Sequence, residues 1–141
     1  MKIVFSVYTF CVFLIIACTT NFEPVKHSEN NSNKEKIVGT WIWTRTTGGI
    51  QGIDITPQST GNTAKIIIDK TLVKSYFNDS LLYSLNYSLD SVLATYNSSD
   101  SIPVLHIGDE YVYKYLFPTA NSLVLSDIFI DGFVHEYIRK F

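Results

Sequence analysis

Lys36-Ile37-Val38-Gly39-Thr40-Trp41-Ile42-Trp43-Thr44-Arg45 marks the change of character in this chain. Upstream lie an apolar leader and then a polar stretch. Downstream, apolar residues recur every second position far more often than at helical spacing, which is the period of a strand with one buried face. A first strand is therefore expected over about 36–47, opening a folded region that runs to the end of the chain.

Working outward toward the C-terminus, strands are expected over 63–69, 71–77, 81–89, 92–97, 102–107, 110–117, 122–129 and 133–140. Asn78-Asp79-Ser80, Asp90-Ser91, Gly108-Asp109 and Asp131-Gly132 supply turn chemistry between them. The segment 81–89 alternates most cleanly, with Leu81, Tyr83, Leu85, Tyr87 and Leu89 on one face. In 110–117 the residues Tyr111, Tyr113, Tyr115 and Phe117 share a face, and Pro118 ends the run. Gly48-Gly49-Ile50-Gln51-Gly52 and the residues to Asn62 are too long for a hairpin turn and read as a loop. No helix of ordinary length is expected after residue 17. Aromatic residues make up 14% of the chain, including nine Tyr and nine Phe, a composition that suits strands. The fold class that follows is all-β: an antiparallel up-and-down barrel of about eight strands, since closure removes exposed sheet edges.

Toward the N-terminus, Lys2 precedes the uncharged apolar run Ile3 to Ala17, which ends in Ile15-Ile16-Ala17-Cys18. Fifteen residues fall short of the roughly 20 that a spanning helix needs and fit the core of a secretory signal. Those last four residues look like the cleavage site of bacterial lipoproteins, with small Ala17 before the scissile bond and Cys18 as the lipidated residue. An ordinary signal peptide, or an uncleaved anchor, that happens to contain a cysteine is the alternative. Cleavage there would remove Cys11 and leave Cys18 as the sole cysteine, so stability would rest on packing without a disulfide. The expected organisation is a lipoprotein signal peptide over 1–17, a lipidated cysteine and flexible tether over 18–35, and a barrel over 36–141. The leader is expected to be helical. A tether of about fifteen residues would reach roughly 20 Å, and two or more acyl chains would anchor the protein stably. The expected location is the bacterial envelope, on a membrane facing the periplasm or the cell surface.

With these strands laid out, Gly39-Thr40-Trp41 becomes informative. A Gly-X-Trp on the first strand of an eight-stranded meander resembles the lipocalin signature, and the whole of 36–141 is similar to the lipocalin-like domain of small bacterial lipoproteins. The resemblance implies that Trp41 sits at the closed end of the barrel with a basic residue of the last strand across its ring. Arg139 matches that role, so Gly39, Trp41 and Arg139 are the expected closure residues. Many lipocalins carry a helix after the last strand; this sequence stops at Phe141, which places it with the shorter forms. The resemblance also makes the 48–62 segment the long first loop, at the open end.

The formal net charge of −2 argues against nucleic acid as a partner. His106 and His135 have no ligand spacing around them and His27 falls in the tether, so no metal or cofactor is expected. Asp109-Glu110 reads as a charged turn. No nucleophile elbow, phosphate loop or paired-carboxylate motif occurs, so no enzyme activity is expected. The aromatic stripe Tyr83, Tyr87, Tyr111, Tyr113 and Tyr115 either lines an apolar cup or fills the barrel, because eight strands enclose room for side chains or for one small ligand. The leading expectation is a lipid-anchored envelope protein that holds a small hydrophobic molecule non-covalently in the barrel. The alternative is a filled barrel that binds an envelope protein or a polysaccharide complex through its loops.

Overall fold

The computed structural model describes residues 27–94 and 99–141; the expected signal peptide and Cys18 lie outside them. Nine strands form one sheet: β1 (Gly39–Gly48), β2 (Ile53–Ile55), β3 (Ala64–Ile68), β4 (Leu72–Phe77), β5 (Ser80–Leu93), β6 (Ser101–Ile107), β7 (Tyr111–Thr119), β8 (Ser122–Asp127) and β9 (Phe133–Lys140). From β3 to β9 each strand pairs antiparallel with the next, and β1 pairs with both β3 and β9. That last pairing closes an eight-stranded up-and-down barrel. β2 is a short addition beside the far end of β1.

The interior follows from the alternation. Trp41, Ile66, Ile68, Val73, Leu105, Ile107, Tyr115, Leu123 and Leu125 form a buried cluster, with Tyr83, Leu85, Tyr87, Leu89, Tyr113, Phe117 and Tyr137 packed against it. Tight turns set the hairpin registers. Asn78 and Asp79 both take positive φ, the geometry of a two-residue turn that matches strand twist. At the β3–β4 turn the Asp69 carboxylate accepts from the Thr71 and Leu72 amides, and these bonds hold its pKa below the ordinary carboxylate value.

Four expectations are corrected. The last part of the supposed tether is a helix, α1 (His27–Ile37), of 11 residues. It has no apolar stripe to reveal it. Its C-terminal end docks instead: Ile37 is fully buried, its carbonyl accepts from Trp41 Nε1 at 2.8 Å, and Lys34 and Lys36 in the last turn suit the negative end of the helix dipole. The expected strand 81–89 and the start of the expected 92–97 belong to one strand that ends at Leu93, with no turn at Asp90-Ser91, because β5 and β6 pair continuously from Tyr87 to Leu93. Pro118 does not end β7; the strand reaches Thr119 across an irregularity in its pairing with β8. The 48–62 segment is also more ordered than a plain loop. It holds β2 and one helical turn, α2 (Pro57–Thr60), started by a reciprocal Thr56–Ser59 capping box and stopped by Gly61 at φ +69°.

Candidate functional site

The two ends of the barrel are built differently. At the closed end, β1 and β9 place Trp41 opposite Arg139. The Arg139 guanidinium lies 4.2 Å from the indole ring centre and donates to the carbonyls of Val38 and Lys36. Trp41 is fully buried, and Phe117 packs on it at 6.1 Å. Gly39 is required for this arrangement. Its φ of +155° strains an L side chain, and a Cβ there would lie 2.3 Å from Arg139 Nη1. The three expected closure residues are thus brought together.

The open end lies where β1, β4, β6 and β8 finish and β3, β5, β7 and β9 begin. Here the barrel contains a cavity of about 450 Å³. Trp43 and Thr46 of β1, Ala64 of β3, Phe77 of β4 and Phe133, His135 and Tyr137 of β9 form its barrel wall. Ile53, Ile55, Thr60 and Asn62 of the 48–62 segment complete it. The segment is fastened in place. Arg45 grips the Asp54 carboxylate with two hydrogen bonds of 2.7 and 2.8 Å, the Gly49 amide donates to Gly132 O, and the Phe133 ring lies against Gly49. Ion pairing with Arg45 lowers the Asp54 pKa.

A β-bulge makes this wall. The β1–β9 register shifts between Trp43 and Arg45, so Thr44 is the extra residue. Trp41 and Trp43 face inward at odd positions; beyond the bulge the parity reverses. Arg45 therefore turns outward to Asp54, and Thr46 turns inward opposite His135. Trp43 Nε1 donates to Thr46 Oγ1 at 2.8 Å, and Thr46 Oγ1 lies 2.9 Å from His135 Nδ1. Thr46 is buried, so its one hydroxyl proton needs an acceptor. The arrangement that leaves no proton unpaired runs Trp43 to Thr46 to His135, with Nδ1 accepting. His135 is then neutral with its proton on Nε2. Burial lowers its pKa, in keeping with that state.

Three polar side-chain atoms in this wall have no partner among the described residues: His135 Nε2, the Tyr137 hydroxyl, and Nδ2 of Asn62, whose Oδ1 accepts from Asn78. No buried side-chain nitrogen or oxygen among those residues is left without a hydrogen bond. None of the three is therefore fully buried, and their residues line the cavity. Burial raises the Tyr137 pKa well above that of a free phenol.

The five candidate tyrosines are placed elsewhere. Tyr115 is buried in the central cluster with Phe117 at 5.8 Å. Tyr87 donates to Asp69 O at 3.0 Å. Tyr83 stacks on Tyr111 at 5.4 Å and hydrogen-bonds to Ser75. Tyr113 meets His135 edge-on at 6.2 Å, and desolvation pushes its pKa up to about 12. None of the five lies in the cavity wall. Period-two reading through the bulge puts Thr46 outside and hides it; strand alternation was the available signal for Trp43 and Tyr137.

His106 pairs opposite Val112 on the outer side of the barrel, and the described residues contain no cluster of three or more His, Cys, Asp or Glu. A second hollow of about 480 Å³ lies beside α1 at the closed end. Its described wall is made by Lys34, Glu35, Val38 and Lys70. The chain matches no protein-family model, no curated protein and no solved structure.

Proposed function

We propose that this chain is a lipocalin-like binding protein, anchored in the bacterial envelope through Cys18, that holds a small hydrophobic molecule non-covalently in the open end of its barrel. The observation that carries this reading is the cavity between β1, β9 and the 48–62 segment, whose mainly apolar wall contains three unpartnered polar atoms, of His135, Tyr137 and Asn62. Apolar enclosure with a few fixed polar groups is the usual construction of a small-molecule site. Ligand burial supplies affinity at roughly 25 cal/mol per Å² of apolar surface removed from water. The closed end supplies a rigid floor. No reacting group is needed for such a role.

A second reading draws on the rim. Ile50 and Ile130 are each 94% exposed and Phe129 is 73% exposed. Large apolar side chains at loop tips are an interaction feature, and they favour a protein-binding module. Native mass spectrometry on the full chain purified from a bacterial host, before and after solvent extraction, separates the two. A stoichiometric apolar mass that leaves on extraction is the result expected of a carrier. A ligand-free chain that takes up no apolar probe overturns that role and favours the rim.

A further inference from the structure

The binding reading leaves the ligand's chemistry open, and the following inference rests on that reading. Among the described residues, the cavity wall contains no Lys, Arg, Asp or Glu. A carboxylate entering it would lose its hydration with no cation to replace it, a penalty that buried charges do not escape unless paired. The charge that acts on His135 is the Asp127 carboxylate of β8, which would repel an anion. Asp127 also accepts from the Phe133 amide at 2.9 Å, so it is engaged in holding the rim. A cation would find no counter-ion in the wall either.

The hydrogen-bond chain gives the remaining sign. Trp43 can only donate, Thr46 passes the donation on, and His135 Nε2–H ends the chain as a donor facing the cavity. Tyr137 is two residues further along β9, hence on the same inward face, roughly 7 Å along the strand. Its hydroxyl is a second donor. Trp43, Phe77 and Phe133 provide flat apolar surface around these groups.

We propose that the cavity selects an uncharged, mainly apolar molecule, ring systems included, whose polar end is a hydrogen-bond-accepting oxygen such as a ketone carbonyl, seated on His135 Nε2 and the Tyr137 hydroxyl. Long-chain or aromatic carboxylates are discriminated against. This separates the site from a fatty-acid carrier, for which a basic residue in the wall is the expected device.

The test is a matched series on one aromatic body: naphthalene, acetonaphthone and naphthoate, titrated into the full chain at pH 8 and followed by tryptophan emission. The ketone is expected to bind about tenfold more tightly than the hydrocarbon, the gain of one to two well-placed hydrogen bonds, and the carboxylate more weakly than either. His135→Phe is expected to reduce the ketone to the hydrocarbon's affinity while leaving naphthalene binding in place, which also certifies an intact cavity. Tyr137→Phe, a smaller change, is expected to remove part of the ketone's advantage. Naphthoate binding as tightly as the ketone, or a ketone advantage that survives His135→Phe, overturns this inference and leaves a binding cavity standing. Failure of all three compounds to bind overturns the carrier reading itself.

Discussion

The closed and open ends of this barrel are made from the same two strands and do opposite things. At the closed end, β1 and β9 bring Arg139 onto Trp41, the Trp41 indole donates to the Ile37 carbonyl, and Arg139 donates to the Val38 and Lys36 carbonyls. At the open end, one extra residue in β1 turns Thr46 inward and leaves His135 and Tyr137 facing space. One end is filled; the other keeps a cavity with polar atoms that have no partner among the described residues. The difference teaches that a single bulge can divide a barrel into a floor and a site.

The largest expected effect lies in the floor. Trp41→Ala removes a fully buried indole and its hydrogen bond to Ile37, and is expected to cost about 3–5 kcal/mol, read as a shift of the denaturation midpoint at constant m. An effect below about 1 kcal/mol would contradict the assignment of the core to this end. Arg139→Ala comes next. The cation–π contact is worth about 0.5–2 kcal/mol, and two carbonyls lose donors besides. Gly39→Ala is expected to displace the same guanidinium, so combining the two substitutions should cost less than the sum. Strict additivity would break the closure account.

At the open end the same size of substitution is expected to change binding more than stability. Trp43→Phe keeps an aromatic wall but removes the donor to Thr46. Acetonaphthone affinity is expected to fall several-fold while the unfolding midpoint moves by much less than in Trp41→Ala. A ranking in the reverse order would erase the distinction between the ends.

The smallest effects are in pH. Burial lowers the folded pKa of His135 below its unfolded value of about 6.5. The unfolded chain therefore binds the proton first, and stability is expected to drop as pH falls from about 6.5 through the lower folded value. His135→Gln should flatten that window and leave the carboxylate-dependent loss at more acidic pH unchanged. Tyr113 and Tyr137 act at the other limit. Their raised pKa values keep the folded state neutral while the unfolded phenols ionise, so stability is full below about pH 10 and is lost above it. Denaturation midpoints across pH check both limbs.

What could be read from the sequence divides along the same line. The β9 limits, the Asn78-Asp79 turn and the Gly39–Trp41–Arg139 closure follow from alternation, turn chemistry and one short motif. The barrel followed because nearly every segment alternates. The site did not, because alternation fails where the bulge lies: with strict period two, Arg45 points in and Thr46 points out. The tyrosine stripe was sound as a statement about which face is interior, as Tyr115 and Tyr113 show, but it carries no information on which part of the interior is hollow. Helix α1 stayed hidden for a related reason. Its stability comes from one buried residue at its end and from carbonyls capped by distant side chains, neither of which leaves a periodic trace.

The most direct test of a sealed floor beneath an open site uses the two tryptophans, which sit on either side of the division. Bromonaphthalene, a neutral apolar quencher that acts at contact, is titrated into the full chain and into Trp43→Phe. Trp43 lines the cavity and Trp41 is sealed beneath it. The prediction is saturable quenching in the wild-type chain that disappears in Trp43→Phe. Saturable quenching that persists unchanged in Trp43→Phe, or none in the wild-type chain, would contradict the account.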